Sequence, residues 1–183
     1  GAGLCYASDG PTHHSCEDIA ILRTLPNMRI VCPADSWEVR LAIRDSLRNS
    51  GPLYIRLGKK NEPKIHDSKP DFTIGKGIHL REGSDLCIIA TGNIVKNALD
   101  AALLLQNAGI SASVVNLHTV KPLDQELLSQ IASDFSLIVT VEEHGLIGGL
   151  GSSIAEWMID SDHRDTRLIR LGTSDVFLAE AGT

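Results

Sequence analysis

The chain has 183 residues, of which 43% are hydrophobic and 22% are charged, and its formal net charge is −6. This composition is close to that of ordinary soluble globular proteins, which excludes intrinsic disorder and fibrous repeats. The acidic balance argues against a protein that neutralises many backbone phosphates of a nucleic acid, because such proteins concentrate Lys and Arg.

No apolar run approaches the roughly 20 residues needed to cross a bilayer, and residues 1–30 lack the pattern of a signal peptide. We therefore expect a cytoplasmic protein with no membrane partner. The four cysteines form no CxxC pair, so structural disulfides are not expected. Because the chain begins with Gly1 rather than Met, and its first residues already read as the interior of a fold, we also expect residues upstream.

Residues 1–58 carry the pattern of a first α/β unit. Ser15 with Asp18, and Asp35 with Glu38, have the spacing of a capping box, which marks the start of a helix. The predicted elements are a helix over residues 16–25, a strand over 29–32, a helix over 35–48 and a strand over 53–57. Residues 59–76 are polar and have almost no apolar period, so we predict a linker there.

Residues 77–183 predict a second α/β unit. Its expected strands cover residues 77–80, 86–90, 113–117, 137–142 and 167–171, and its expected helices cover 94–106, 125–132 and 152–159. The strands LCIIA and LIVTV are nearly continuous apolar runs, which is typical of a parallel sheet covered on both faces. The pattern predicts a doubly wound, mostly parallel sheet, with the first strand as a possible antiparallel edge.

Residues 9–14 read DGPTHH and lie directly before the first predicted helix. Gly10 permits backbone geometry that is closed to other residues and Pro11 restricts the backbone beside it, so the loop can hold Asp9 and His13 at a fixed angle. A carboxylate and a neutral imidazole held in this way can bind sugar hydroxyls, and the imidazole can exchange a proton near neutral pH.

Two other interpretations of this motif compete with that one. Asp9 and Thr12 can make turn hydrogen bonds while the His residues lie at the surface. A metal site built from the His pair, Cys16 and Glu17 is disfavoured, because adjacent His residues point differently and no second ligand cluster has the required spacing.

The motif and the segments after it, EDIAILRTLPNMRIVCPAD and GPLYIRLGK, resemble the second half of the pyrimidine-binding domain of transketolases and deoxyxylulose phosphate synthases. The resemblance implies that Asp9 contacts substrate hydroxyls and that His13 contacts the donor and the thiamine-bound intermediate. It also implies that Arg56 binds the substrate phosphate, which a guanidinium can grip with two parallel hydrogen bonds. His14 stands where Gln is often found, and its role is open.

Residues 83–172, with GSDLCIIATG, VVNLHTVKPLD and VEEHGLIGGLGS in order, resemble the carboxy-terminal transketolase domain. The glycines of IGGLGS do not read GxGxxG, so we expect close packing of a loop and a helix rather than a dinucleotide site. Glu142, Glu143 and His144 end a predicted parallel strand, where they could form an acid–base pair. We interpret them as interface or loop-ordering residues, because the resemblance gives this domain no catalytic role.

The resemblance implies thiamine diphosphate and Mg²⁺ as cofactors. The Glu and the aromatic residue that contact the aminopyrimidine are expected upstream of Gly1. The GDG motif that holds the metal does not occur in the chain and is expected on a diphosphate-binding domain or subunit.

We therefore expect part of a transketolase, inactive alone, that moves a two-carbon ketol unit between sugar phosphates as a homodimer or heterotetramer. The alternatives are a deoxyxylulose phosphate synthase, the beta subunit of a 2-oxo acid dehydrogenase and a non-catalytic assembly subunit. DGPT rather than DGQT favours transketolase.

Overall fold

The computed structural model describes residues 1–59, 62–163 and 165–179 and contains two sheets. The strands are β1 (Arg29–Val31), β2 (Leu53–Ile55), β3 (Ile78–Arg81), β4 (Leu86–Ala90), β5 (Ala112–Asn116), β6 (Thr119–Lys121), β7 (Leu137–Gly145) and β8 (Arg167–Thr173). The α-helices are α1 (Asp18–Arg23), α2 (Ser36–Ser46), α3 (Val95–Asn107), α4 (Gln125–Asp134) and α5 (Leu150–Asp160). Short 3-10 turns cover Ala7–Asp9 and Gly92–Ile94.

The larger sheet confirms the predicted α/β architecture. Its strand order is β3-β5-β4-β7-β8, with β3 antiparallel to β5 and the other neighbours parallel. Alternate residues of β4 enter different cores: Cys87 and Ile89 pack with side chains of α4 and α5, whereas Ile88 and Ala90 pack with side chains of α3. Because successive side chains of a strand face opposite sides of the sheet, helices cover both faces, as a doubly wound fold requires.

The smaller sheet joins the two units. Its order is β2-β1-β6, with β1 parallel to β2 and antiparallel to β6. The sequence pattern did not predict β6, because its residues, Thr119–Lys121, include a single apolar side chain between two polar ones. This strand comes after β5 in the chain, so the second unit completes the sheet of the first. The shared apolar core likewise contains Ile19 and Ile30 together with Ile89 and Leu117.

The capping box predicted at the first helix is not present, so that prediction is wrong. The one predicted at the second helix forms only in part. Helix α1 begins at Asp18, and its N-cap Glu17 makes no side-chain capping bond. The carboxylate of Asp18 accepts from Arg56 Nε and from the Tyr54 hydroxyl instead. At α2 the side chain of Asp35 caps the helix as predicted, while Glu38 reaches back one residue further, to the amide of Ala34.

The polar segment that connects the units is held by hydrogen bonds to carboxylates. Asp35 Oδ2 accepts from the amides of Ile65 and His66, at 3.1 and 2.9 Å. Asp45 Oδ2 accepts from the amide of Ile74 at 3.2 Å. The segment packs without an apolar period because its own backbone amides make these contacts. Residues 60 and 61 of the predicted linker, and residues 164 and 180–183 of the second unit, lie outside the described residues.

None of the helices in the described ranges has the length and apolar character to cross a membrane. All four cysteines are free thiols, which confirms that no structural disulfide forms among them.

Candidate functional site

The DGPTHH motif lies on a loop whose two ends are hydrogen-bonded to each other. Gly3 and Ser15 form an isolated antiparallel bridge, with N–H···O distances of 3.1 and 3.0 Å. A Cβ on Gly3 would meet Glu143 Cβ at 2.6 Å, and its φ of 52° lies in the left-handed region. Glycine is therefore required where the base of the loop packs against the second unit. We call residues 3–15 the substrate loop.

Asp9 and His13 are both exposed on this loop, but they do not bind each other. The Thr12 hydroxyl donates to the Asp9 carbonyl at 3.4 Å and lies 3.0 Å from His13 Nδ1. Thr12 therefore makes a turn bond and also orients the imidazole. Within the described ranges, Asp9 receives one weak bond, from the Ser8 hydroxyl at 3.5 Å, and no bond is made by His13 Nε2. A ligand can reach both side chains from solvent.

Arg56 reaches the base of the loop rather than Asp9 and His13. Its side chain is only 4% exposed, and Nε donates to Asp18 Oδ2 at 2.8 Å. Its Nη2 donates to the carbonyls of Ser15 and Glu143, at 2.6 and 3.0 Å. The guanidinium is thus engaged by three acceptors of the protein itself. The phosphate contact implied by the resemblance stays a prediction.

Asp18 binds both Arg56 and Tyr54, and the sequence analysis predicted neither of these contacts. The Tyr54 hydroxyl donates to Asp18 Oδ2 at 2.8 Å. Burial acts to raise the pKa of Asp18, but the hydrogen bond and charge of Arg56 and the Tyr54 hydroxyl outweigh it and hold this pKa below its ordinary value. The sequence does carry one signal for the role of Tyr54. Residues two apart on a strand share a face, so Tyr54 is expected beside Arg56.

His14 is half-buried, and its role stays open. Its Nε2 atom is buried and has no hydrogen-bond partner in the part of the chain that the structure describes. The side chain therefore differs from the exposed imidazole of His13, as adjacent residues on a loop often do.

Glu142, Glu143 and His144 lie within β7, which extends three residues past its predicted end. Glu142 accepts hydrogen bonds from the amides of Leu150 and Gly151, at 2.7 and 2.9 Å, and so caps helix α5. His144 Nε2 accepts from the Ala20 amide of α1 at 3.3 Å. These contacts fit the interface and loop-ordering interpretation. Glu142 Oε2 and His144 Nδ1 are 3.9 Å apart, which is beyond hydrogen-bonding distance.

The glycines before and within α5 serve close packing. A Cβ on Gly148 would meet Ala20 Cβ at 2.6 Å, and one on Gly149 would meet Glu142 Oε2 at 2.0 Å. The carboxylate of Glu142 occupies the amide groups that a bound phosphate would need at the start of this helix. The structure therefore agrees with the rejection of a dinucleotide site.

No group of three or more His, Cys, Asp and Glu side chains in the described residues is arranged to hold a metal ion. What the substrate loop offers is an exposed carboxylate and an exposed imidazole on a backbone fixed at both ends. This donor set fits a polyhydroxylated ligand, since carboxylate and imidazole both bind hydroxyl groups.

Two family models match the chain. The model described as "Transketolase, pyrimidine binding domain" matches residues 1–64, and the model described as "Transketolase, C-terminal domain" matches residues 75–182.

Individual relatives agree with these models. A protein of Methanocaldococcus jannaschii described as a transketolase C-terminal section is 42% identical over 178 residues, covering 96% of this chain and 55% of that protein. A 1-deoxy-D-xylulose-5-phosphate synthase of a Synechococcus species is 38% identical over 183 residues, covering 98% of this chain and 28% of that enzyme. The chain thus spans about half, or less, of the length of these relatives.

A solved structure of a split gene transketolase, an inactive beta4 tetramer, is also similar. It is 39% identical with a TM-score of 0.86, and the match covers 96% of this chain and 56% of that one.

Proposed function

Because the chain belongs to the transketolase family, we propose that it supplies the substrate side of a thiamine diphosphate-dependent enzyme that transfers a two-carbon ketol unit between sugar phosphates. The observation that supports this proposal is the substrate loop, closed by the bridge between Gly3 and Ser15, with Asp9 and His13 exposed on it.

The loop residues have distinct roles in this proposal. Asp9 accepts hydrogen bonds from hydroxyl groups of the sugar, for which its carboxylate oxygens are available. His13 contacts the donor through Nε2, because Nδ1 faces the Thr12 hydroxyl. When bound, thiamine diphosphate supplies the reactive carbon that makes and breaks carbon–carbon bonds beside a carbonyl group.

A partner module completes the site in this proposal. A diphosphate-binding domain or subunit holds the diphosphate group and supplies the Mg²⁺ ligands. Relatives described as a C-terminal section and as a split gene transketolase support a divided enzyme, and the latter is described as an inactive beta4 tetramer. We infer a homodimer or heterotetramer for the assembly. The four free thiols fit a reducing, cytoplasmic compartment.

The similarity to a 1-deoxy-D-xylulose-5-phosphate synthase supports a second candidate function, namely the synthesis of 1-deoxy-D-xylulose 5-phosphate with the same cofactor. The product distinguishes the two, because ketol transfer yields a longer sugar phosphate and the synthase yields a 1-deoxy sugar phosphate. A non-catalytic assembly subunit is a third candidate, and it predicts no cofactor-dependent turnover with any partner.

The role of His13 can be tested in the enzyme completed by its partner module. We expect His13→Ala to lower kcat by about a hundredfold, the usual range for loss of a positioned acid–base group, while the unfolding midpoint is unchanged. His79→Ala is the matched control, since His79 is an exposed imidazole on β3. Turnover of His13→Ala equal to that of His79→Ala would refute the role.

A further inference from the structure

Arg56 is buried beneath the substrate loop, with the half-buried side chains of Asp18 and Tyr54 beside it, and we call these three residues the anchoring network. Asp18 Oδ2 accepts from the Tyr54 hydroxyl and from Arg56 Nε, both at 2.8 Å. The side chains of Arg56 and Asp18 are 4% and 13% exposed. A buried guanidinium without a carboxylate beside it would be costly, so Asp18 fixes where Arg56 can lie.

From this position Arg56 links two separate parts of the fold. Its Nη2 donates to the Ser15 carbonyl, which also accepts from the Gly3 amide across the base of the loop. The same nitrogen donates to the Glu143 carbonyl on β7 of the second unit. One side chain thus holds the closed end of the substrate loop against the second unit.

We infer that the anchoring network positions the substrate loop, so that Asp9 and His13 keep the orientation that the reaction needs. Asp18 and Tyr54 act through Arg56, and Arg56 acts through the Ser15 carbonyl. The inference rests on the proposed function only for its kinetic consequence, because the order of the loop is a property of the chain itself.

This role differs from a direct phosphate contact. Nε and Nη2 of Arg56 already donate to Asp18, Ser15 and Glu143, so a phosphate ligand would have to use Nη1 or displace these contacts. A positioning residue affects a sugar with or without its phosphate group equally, whereas a phosphate ligand matters only for the phosphorylated sugar. The two roles therefore predict different kinetics from the same variants.

The first experiment uses the chain alone and measures amide hydrogen exchange in residues 3–15. Asp18→Asn removes the carboxylate charge, and Tyr54→Phe removes one hydrogen bond to it. We expect protection of the loop amides to fall about tenfold in Tyr54→Phe and further in Asp18→Asn, since a hydrogen bond to a charged group is at stake. Unchanged protection in Tyr54→Phe would overturn the inference, even where Asp18→Asn does not fold.

Arg23→Gln is the matched control. Arg23 also joins the units through its guanidinium, with Nη1 donating to the Gly148 carbonyl at 2.8 Å and Nη2 paired with Glu156. It makes no hydrogen bond to residues 3–15 within the described part of the chain, so loop exchange should match that of the unsubstituted chain. Loss of loop protection in Arg23→Gln as well would show a general loosening of the interface and would overturn the inference.

The second experiment uses the enzyme completed by its partner module, with D-fructose 6-phosphate and D-fructose as donor probes. We expect Tyr54→Phe and Asp18→Asn to lower kcat/KM for both probes by the same factor. A loss confined to the phosphorylated probe would assign Arg56 to phosphate binding and overturn the positioning role. If the unsubstituted enzyme transfers no ketol unit, the proposed function fails, and the exchange experiment still decides the inference.

Discussion

Glu38 is a fully buried carboxylate that joins three segments of the chain. Its Oε2 accepts from the Ala34 amide at 2.8 Å, while Oε1 binds His66 Nε2 and Asn116 Nδ2, both at 2.6 Å. His66 belongs to the connecting segment and Asn116 to β5 of the second unit. A buried charge is tolerated here because every contact is a hydrogen-bond donor.

The pair of Glu38 and His66 predicts a pH-dependent stability. Burial acts to lower the pKa of His66, but the hydrogen bond to Glu38 and the charges of Glu38 and Asp35 outweigh it and raise this pKa above 6.5, its ordinary value. The folded chain therefore binds the proton more tightly than the unfolded chain. The resulting stabilisation is fully present below about pH 6.5 and is lost as the pH rises through the folded-state pKa.

His66→Gln tests this expectation because glutamine can still donate to Glu38 but does not titrate. The difference in the free energy of unfolding between the unsubstituted chain and His66→Gln should shrink as the pH rises from about 6 to about 9. Urea unfolding at a series of pH values measures it, with His79→Gln as the exposed control. A difference that does not change with pH would contradict the assignment.

At the scale of elements, α5 shows how a strand fixes the start of a helix. Its N-cap Gly149 has no side chain to offer, so Glu142 of β7 supplies the capping carboxylate from outside the helix. The first amides of a helix have no partner within it and favour a negative charge. The EEHGLIGGLG segment thus encodes a strand, a close turn and a helix as one unit.

Glu142→Gln should weaken this unit. The amide group of glutamine would present N–H to one of the two backbone amides, so we expect a loss of about 2 kcal/mol in the free energy of unfolding. Glu156→Gln on the same helix is the control, since that side chain is 61% exposed and its ion pair with Arg23 contributes at most about 1 kcal/mol. Equal losses in the two variants, measured by urea unfolding, would rule out the capping role.

At the scale of the whole molecule, the sequence predicted what short-range patterns can encode. The runs at β4 and β7 are apolar for several residues, and Asp35 has a local signal as a helix cap, so these elements were found. Strand β6 was missed because only one of its three residues is apolar, although the strand joins the two units. The connecting segment was interpreted as a linker because its hydrogen bonds use backbone amides, which no sequence pattern displays.

The candidate site was likewise predictable only where its residues carry a local signal in the sequence. DGPTHH was placed on a loop with Asp9 and His13 available, because Gly and Pro mark loops locally. The pairing of Arg56 with Asp18 spans 38 positions, and nothing near either residue signals it. The bridge between Gly3 and Ser15 was missed for the same reason, since two residues pair outside any strand pattern.

In the proposed function, this chain forms the substrate side of a thiamine diphosphate site that a partner module completes. The most direct test is to mix the chain with a candidate diphosphate-binding subunit and to measure ketol transfer with and without added thiamine diphosphate. We expect no transfer by the chain alone, transfer after mixing, and dependence on the cofactor. The absence of both cofactor binding and ketol transfer with every partner tested would contradict the proposed function.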